Sequence, residues 1–229
     1  VLPTPAFSFA QDEFGADGGV MVTGSHNPPG DNGFKISLGP WPITEEELAA
    51  LERRMAEGAF APGVGSYEER DILSRYVDSL LGRFAPVAPR KVVVDAGHGC
   101  YALLAPQALR ELGHEVVELF CEPDGRFPGR PPNPAVVENL GALRETVTRA
   151  HADLGVAYDG DGDRAVFVDE RGQMVESDVS IVLFARHLLR RWPGGEVIYD
   201  LKCSSVVPEE VRKAGGKPVM ERSGHAFIK

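Results

Sequence analysis

The sequence predicts an α/β protein made of consecutive domains whose sheets are mixed and mostly parallel. Over its 229 residues, short apolar strand patterns alternate with amphipathic helix patterns, and this order is typical of α/β domains. Three strand patterns lead directly into loops of small polar residues: Val20–Val22, Val92–Val94 and Val197–Tyr199. The same strand-to-loop order therefore recurs along the chain.

The first part of the chain predicts a helix, a strand and a second helix. Pro5 favours a helix that begins just after it, and the apolar run Val20–Val22 is typical of a short buried strand. Thr44 and Glu47 have the spacing of a helix-capping box, and Gly58 is suited to end that helix. Its apolar stripe is expected to pack into the core and consists of Leu48, Leu51 and Met55.

A second series of elements follows the stretch 61–66, whose prolines and glycines are typical of a linker. A helix is predicted over 71–84 and a strand of parallel type over 92–95. A glycine loop and a helix that ends at Gly113 lead to a further strand over 116–120. Helices are then predicted over 134–151, with Gly141 as a weak point, over 177–192 and over 208–214.

An acidic loop from Asp159 to Arg164 contains three aspartates that alternate with two glycines. Apolar runs on both sides predict one strand before the loop and another after it. The glycines allow the loop to curl so that the carboxylates of Asp159, Asp161 and Asp163 point at one cation. Because hard oxygen ligands favour Mg²⁺ or Ca²⁺, the loop is a predicted metal site.

Two other interpretations of the acidic loop remain open at this point. A calcium loop of the EF-hand type would use the same aspartates with Glu170 at its twelfth position. Against it, Arg164 stands where glycine is needed, and the flanks predict strands where that motif has helices. An aspartate-nucleophile phosphatase also places Asp-x-Asp after an apolar strand, but it leaves a second loop, described next, without a role.

This second loop, Thr23-Gly24-Ser25-His26-Asn27-Pro28, follows the first strand pattern. Its glycine and prolines cannot continue a strand, so the hydroxyl of Ser25 is presented at the edge of a sheet beside His26. Lys35 lies ten positions further on. The combination predicts a serine nucleophile, although the glycine positions of the hydrolase elbow Gly-x-Ser-x-Gly hold other residues. The alternative is a turn serine that bonds only its local backbone.

The overall composition limits the possible partners. A net charge of -10 argues against a nucleic-acid surface, and an anionic substrate would require local cations, either a metal or clustered arginine and lysine. Cys100, Cys121 and Cys203 lie far apart and predict reduced thiols in a cytoplasmic protein. No apolar run reaches the length of a membrane span, so no membrane partner is expected.

Taken together, the two loops resemble the phosphoserine loop and the metal loop of the α-D-phosphohexomutases, in particular the phosphomannomutase/phosphoglucomutase branch. The resemblance runs in the same order along essentially the whole chain. It includes Pro3-Thr4-Pro5, Gly33-Phe34-Lys35, Pro123-Asp124-Gly125-Arg126-Phe127-Pro128, Asp200-Leu201-Lys202-Cys203 and Ser223-Gly224-His225-Ala226-Phe227-Ile228-Lys229. It implies α/β domains of the phosphohexomutase type.

The resemblance also implies a reaction. Ser25 would be a phosphorylated nucleophile, and the reaction would move a phosphoryl group reversibly between positions 1 and 6 of a glucose or mannose phosphate. A hexose 1,6-bisphosphate would be both intermediate and activator. His26 would orient the phosphoserine region, and Arg164 would contact phosphate. Lys35 would be a general acid or base, although a free lysine with a pKa near 10.4 needs burial or nearby cations to act as a base.

The remaining roles are implied in the same way. Mg²⁺ would be held by Asp159, Asp161, Asp163 and the phosphate on Ser25. The sugar phosphate, the expected small-molecule partner, would be bound from the third domain by Lys202, Ser223, Gly224 and His225.

The resemblance divides the chain into three parts. Residues 1–70 would be the later part of the phosphoserine domain, 71–174 the metal-loop domain, and 175–229 the first part of the third, sugar-phosphate-binding domain. Since the related enzymes have four domains, the chain is expected to be a fragment. No oligomeric state is predicted.

Two alternative functions are kept. The first is a glucosamine-phosphate mutase of the same superfamily, a branch that tends to have alanine where this chain has Gly24 and Gly162. The second is a metal-binding module without catalytic activity. The intact serine, lysine, aspartates and arginine of the two loops favour the hexose-phosphate mutase.

Overall fold

The structure is a computed structural model that describes residues 1–224 and residue 228. Its first sheet has three antiparallel strands in the order β1-β2-β3, preceded by α1 and followed by α2. The bounds are α1 Thr4–Phe14, β1 Gly18–Val22, β2 Phe34–Leu38, β3 Trp41–Pro42 and α2 Glu45–Glu57. The predicted helices and the first strand are confirmed, whereas β2 and β3 were not predicted.

The first strand is less buried than expected. Val20 and Val22 are 57% and 65% exposed, and only Met21 between them is buried, at 8%. Successive side chains of a strand point to opposite faces, and α1 covers only one face of this sheet. An apolar run of this kind therefore lies half in the core and half at the surface.

The capping box of α2 is confirmed, but its predicted packing is wrong. The Glu47 amide donates to Thr44 Oγ1 at 3.2 Å, the Thr44 amide donates to Glu47 Oε2 at 2.8 Å, and Gly58 ends the helix with φ of 64°. The apolar stripe of Leu48, Leu51 and Met55 is exposed instead of buried. Within the described part of the chain, no element covers that side of α2.

The second sheet has five strands in the order β5-β4-β6-β7-β8. Strands β5, β4 and β6 are parallel, whereas β7 and β8 are antiparallel to their neighbours. The strands are β4 Lys91–Asp95, β5 Glu115–Leu119, β6 Leu154–Tyr158, β7 Ala165–Asp169 and β8 Met174–Val175. The helices are α3 Leu73–Leu81, α4 Ala105–Glu111 and α5 Gly141–Ala150, with 3₁₀ turns at Cys100–Leu103 and Val137–Leu140.

The helix predicted over 134–151 is shorter in the structure. A loop and a 3₁₀ turn precede it, and α5 begins at Gly141, the residue expected to be a weak point. Leu143 and Val147 of α5 are fully buried against the sheet residues Val93, Ala157 and Val168. This core includes Ala157 of β6 and Val168 of β7, the two strands that the acidic loop connects.

The third unit packs two helices, α6 Ser177–Arg191 and α7 Val206–Lys213, on a parallel pair of strands, β9 Glu196–Asp200 and β10 Lys217–Glu221. Its core consists of Val182, Ala185, Leu189, Val207 and Val211. Strand β10 was not predicted, whereas both helices lie within two residues of their expected bounds.

The α/β class is confirmed, and the sheets are mixed. Among residues 1–224, three strand pairs are parallel and four are antiparallel, so the parallel share is smaller than expected. Met174 and Val175 form strand β8, which pairs with β7 in the second sheet. The domain limits at residues 70 and 174 stay predictions. No helix in the described ranges combines the length and the apolar character needed to cross a bilayer.

Candidate functional site

The serine loop connects β1 to β2 and is closed by its own backbone. The Thr23 amide donates to the Gly33 carbonyl at 2.9 Å, and the Asn27 amide donates to Gly24 at 2.9 Å. A Cβ on Gly33 would stand 2.8 Å from the Thr23 carbonyl oxygen, so this approach needs glycine. Ser25 itself has φ of 52°, a left-handed conformation that non-glycine residues adopt mainly at tight or functional turns.

The acidic loop connects β6 to β7, as predicted. Asp159 and Asp161 are buried, and Asp163 lies at the edge of solvent. One carboxylate oxygen from each of the three lies within 4.8 Å of the others. Gly162 has φ of 71°, and a Cβ there would clash with the ring of Tyr101, so the curl of the loop depends on this glycine.

The two loops, 134 positions apart, meet at Ser25 and Asp159. The Ser25 hydroxyl lies 3.5 Å from Asp159 Oδ2 and 3.3 Å from Nδ1 of His26. Thr23 donates its hydroxyl to Asp161 Oδ2 at 3.0 Å. A Cβ on Gly160 would stand only 2.3 Å from the Ser25 carbonyl oxygen, which shows how closely the backbones approach.

Lys35 lies on β2, opposite Met21, and points its ammonium into the acidic loop. Its Nζ donates to Oδ2 of Asp161 and to Oδ2 of Asp163, each at 2.6 Å, and to the Thr4 hydroxyl at 3.3 Å. Burial disfavours the ammonium, but the hydrogen bonds to the two carboxylates outweigh it and raise the pKa of Lys35. In this geometry Lys35 is a cation at neutral pH.

Arg164 pairs with the first aspartate of the loop. Its Nε donates to Asp159 Oδ2 at 2.9 Å, Nη2 lies 2.8 Å from the same oxygen, and its amide donates to Oδ1 at 3.1 Å. Burial, together with the charge of Asp163, raises the pKa of Asp159 to about 6 despite this pairing. Burial acts in the same direction on Asp163, but the hydrogen bond and charge of Lys35, together with the contacts of Asp159 and Arg164, outweigh burial and lower the pKa of that carboxyl.

The donor set fits a divalent cation that prefers oxygen ligands. Three carboxylates converge here, and within residues 1–224 the buried Oδ1 of Asp161 has no hydrogen-bond donor. A buried carboxylate oxygen without a partner is costly, and a cation would satisfy it. The flanks of the loop are strands, which disfavours the EF-hand interpretation.

The predicted sugar-phosphate residues form a separate group at the carboxyl ends of β9 and β10. Asp200 Oδ1 accepts hydrogen bonds from the Lys202 amide at 2.7 Å and from the Ser223 hydroxyl at 2.8 Å, so Lys202 and Ser223 are brought together. Gly224 follows directly and is exposed. His225 lies outside the described residues.

Two threonines of the site were not predicted. Thr23 donates to Asp161, and Thr4, at the start of α1, accepts from Lys35 while its amide donates to the Asp161 carbonyl at 2.8 Å. Both belong to the motifs quoted above, Pro3-Thr4-Pro5 and Thr23-Gly24-Ser25. Their position in those motifs was the available signal.

Comparison with known proteins gives one consistent result. Models of the phosphoglucomutase/phosphomannomutase alpha/beta/alpha domains I, II and III match residues 1–62, 74–172 and 176–229. A phosphomannomutase/phosphoglucomutase from Pseudomonas aeruginosa is 42% identical over 229 residues, which are 100% of this chain and 50% of the relative. A phosphoglucomutase from Neisseria gonorrhoeae is 38% identical over 231 residues, with coverage of 100% and 50%.

Solved structures agree. A phosphoglucomutase/phosphomannomutase family protein from Burkholderia thailandensis superimposes with a TM-score of 0.94 at 40% identity, covering 99% of this chain and 51% of the other. An N-acetylglucosamine-phosphate mutase at 13% identity and a TM-score of 0.56 shares the fold. The chain spans about half the length of the curated relatives it matches.

Proposed function

Since this chain belongs to the phosphoglucomutase/phosphomannomutase family, we propose that the whole protein transfers a phosphoryl group reversibly between positions 1 and 6 of a hexose phosphate. The transfer proceeds through phosphoserine at Ser25 and a hexose 1,6-bisphosphate. One observation carries the proposal: the Ser25 hydroxyl lies 3.5 Å from Asp159 of a three-carboxylate cluster. Residues proposed as nucleophile and as metal ligands thus come from distant parts of the chain and lie together.

In the proposed step, a sugar hydroxyl oxygen attacks the phosphorus of phosphoserine. A P–O bond to the sugar forms, the P–Oγ bond breaks, and its electron pair remains on Ser25 Oγ, which takes up a proton. The sugar hydroxyl gives its proton to a water molecule. Lys35, whose raised pKa keeps it protonated, is suited to give the proton to Oγ and to act as the base in the reverse step.

Asp159, Asp161 and Asp163 would hold Mg²⁺, with an oxygen of the phosphate on Ser25 as a further ligand. The ion would neutralise charge on the phosphoryl oxygens, which otherwise repel the attacking oxygen. His26, whose Nδ1 lies 3.3 Å from the Ser25 hydroxyl, would orient the phosphoserine.

The remaining cations and donors serve phosphate binding in this proposal. Arg164 contacts phosphate through the part of its guanidinium that Asp159 does not occupy. Lys202, Ser223, Gly224 and His225 bind the sugar phosphate, a role supported by the convergence of Lys202 and Ser223 on Asp200. A cytoplasmic location is also proposed, favoured by the free thiols of Cys100, Cys121 and Cys203.

The test is the intact mass of the protein before and after treatment with glucose 1,6-bisphosphate and Mg²⁺. We expect the mass of one phosphate to be gained, the gain to be lost in Ser25→Ala and to be kept in the loop control Ser66→Ala. The same measurement is made on the full-length protein. No phosphate gained there would contradict the mutase proposal and favour a metal-binding module.

A further inference from the structure

Two buried charges outside the proposed catalytic group have no role in the mechanism above. Asp95, at the end of β4, is 0% exposed, and Arg130, in the loop between β5 and α5, is 5% exposed. Arg130 Nε donates to both carboxylate oxygens of Asp95, at 2.9 and 2.8 Å. The Gly97 amide donates to Asp95 Oδ1 at 2.8 Å, so the carboxylate is fully engaged.

Stability alone does not account for this pair. Removing two charges from water is costly, and a buried ion pair is often no more stabilising than well-packed apolar residues of the same volume. The backbone next to Asp95 also leaves room for the guanidinium of Arg130. A Cβ on Gly97 would stand 2.5 Å from Arg130 Cζ, and Gly97 has φ of 51°, so this position needs glycine. A pair maintained under these conditions requires a further explanation.

One further hydrogen bond of Arg130 reaches the residue that immediately precedes the acidic loop. Its Nη2 donates to the Tyr158 carbonyl at 2.8 Å, and its Nη1 donates to the Pro131 carbonyl at 3.0 Å. Tyr158 immediately precedes Asp159, and its carbonyl belongs to the same planar peptide unit as the Asp159 amide. Arg130 therefore fixes the orientation of the peptide from which the first predicted metal ligand extends.

The loop that carries Arg130 also forms a wall of the acidic loop. Phe127 and Pro132 approach the Cβ position of Gly160 to 3.3 and 3.5 Å. The Gly160 carbonyl in turn accepts from the Cys100 amide at 3.0 Å. Without Arg130, the peptide before Asp159 loses its hydrogen bond to the guanidinium. The loop that packs beside Gly160 loses its ion pair with Asp95.

We propose that Arg130 is a positioning residue for the metal site: through Asp95 and the Tyr158 carbonyl, it holds the acidic loop in the curl that brings its carboxylates together. The inference rests on the proposed function, because it assumes that the acidic loop binds a divalent cation. Residues that orient metal ligands without touching the ion typically change metal affinity by about 10–100-fold when substituted.

The test uses Mn²⁺ alone as the probe, with the free ion measured by electron paramagnetic resonance at matched folded fractions. We expect Arg130→Met to weaken Mn²⁺ binding by about tenfold or more. The matched control is Arg144→Met, which removes another arginine bound to a backbone carbonyl, that of Gly172, and should change the affinity less than about twofold. Wild-type affinity in folded Arg130→Met would overturn the inference.

A double variant separates positioning from stability. Asp95→Asn combined with Arg130→Met leaves no unpaired buried charge, so we expect its urea midpoint to be higher than that of Arg130→Met. If Arg130 positions the acidic loop, Mn²⁺ binding should stay weak in the double variant, because the hydrogen bond from residue 130 to the Tyr158 carbonyl is still missing. Affinity that recovers together with stability would show a purely structural role and overturn the inference.

Failure of the proposed function is distinguishable from failure of this inference. If the wild-type protein binds no Mn²⁺, the proposed metal site is contradicted. The positioning role is then decided without metal, from amide hydrogen exchange at Gly160 and Gly162. Faster exchange in Arg130→Met than in Arg144→Met supports it, and equal exchange overturns it.

Discussion

Ser25 faces a small group of charges in which carboxylates outnumber cations. Asp159, Asp161 and Asp163 contribute three negative charges, and Lys35 and Arg164 contribute two positive ones, and each charge forms at least one ion pair with a charge of opposite sign. Arg164 is bound to Asp159, while Lys35 is shared by Asp161 and Asp163. The residual negative charge and Asp161 Oδ1, which accepts no hydrogen bond from the described residues, are the local reasons why a divalent cation would bind.

The raised pKa of Asp159 predicts pH-dependent metal binding. Its carboxyl has a pKa of about 6 in the metal-free site, so protons compete with the cation as the pH falls through that value. We expect Mg²⁺ affinity to be nearly constant above pH 7 and to fall about tenfold per pH unit below pH 6. Calorimetric titration at pH 5, 6 and 7.5 measures this. Equal affinity at pH 5 and 7.5 would contradict the prediction.

Lys35 is predicted to oppose metal binding while promoting phosphoryl transfer. Its ammonium lies 2.6 Å from oxygens of two predicted ligands, so Lys35→Met should tighten Mn²⁺ binding by on the order of tenfold. The same variant should slow phosphorylation of Ser25 by glucose 1,6-bisphosphate by about 100-fold or more, because the base that takes the proton of Ser25 Oγ in this direction is lost. Lys35→Arg, which keeps the charge, is the control for affinity. Weaker Mn²⁺ binding in Lys35→Met would refute this interpretation.

At the level of elements, the site is an interface between two connections of different sheets. The β1–β2 connection carries Ser25, the β6–β7 connection carries the aspartates, and α1 adds the Thr4 amide, which donates to Asp161. Packing of α1 against α3 and Leu104, through Ala6, Tyr76 and Val77, places that amide. Each connection joins two antiparallel neighbours, β1 with β2 and β6 with β7. Both connections therefore lie where the strands are not parallel.

The close approach of the two loops gives a prediction at this scale. In Gly160→Ala the new methyl group would stand 2.3 Å from the Ser25 carbonyl oxygen, and backbone must shift to accept it. We expect Mn²⁺ affinity and Ser25 phosphorylation both to fall at least about tenfold. The control Gly125→Ala places its methyl group where no atom of the described residues lies within 4 Å and should leave both unchanged. Equal behaviour of the two variants would show that the loops do not dock in this way.

At the scale of the whole molecule, the described chain exposes much apolar surface. A groove of about 530 Å³ runs along α6 and β9. Leu188, which lines it, is 47% exposed, and Leu183, also on α6, is 59% exposed. The open face of the first sheet adds Phe34 and Trp41. Exposed apolar surfaces such as these can bind other apolar groups.

This surface predicts strong binding of a hydrophobic dye by the 229-residue chain. Substitution of Leu183→Gln and Leu188→Gln together should lower the fluorescence of bound anilinonaphthalene sulfonate clearly. The free energy of unfolding should change by less than about 0.5 kcal/mol per site, because both side chains are already exposed. Arg186→Gln, on the same helix, is the control. A large loss of stability in the double variant would show that these side chains belong to the core.

The sequence by itself determined those features that depend on residues close together in the chain. The acidic loop with its flanking strands, the capping box of Thr44 and Glu47, and the presentation of Ser25 are set by local backbone preferences and side-chain spacing. The family resemblance, carried by those same motifs, is confirmed by the domain models that match the chain.

Only the tertiary structure decided which surfaces are covered and which distant groups meet. What packs against each element decided that β1 is half exposed and that the apolar stripe of α2 is exposed. Pairing with a neighbouring strand decided that β2 and β10 form. The bonds from Thr23 to Asp161, from Lys35 to two aspartates and from Arg130 to Asp95 join residues 35 to 138 positions apart. Local propensity contains no information on such contacts, because they form only when separate elements are brought together.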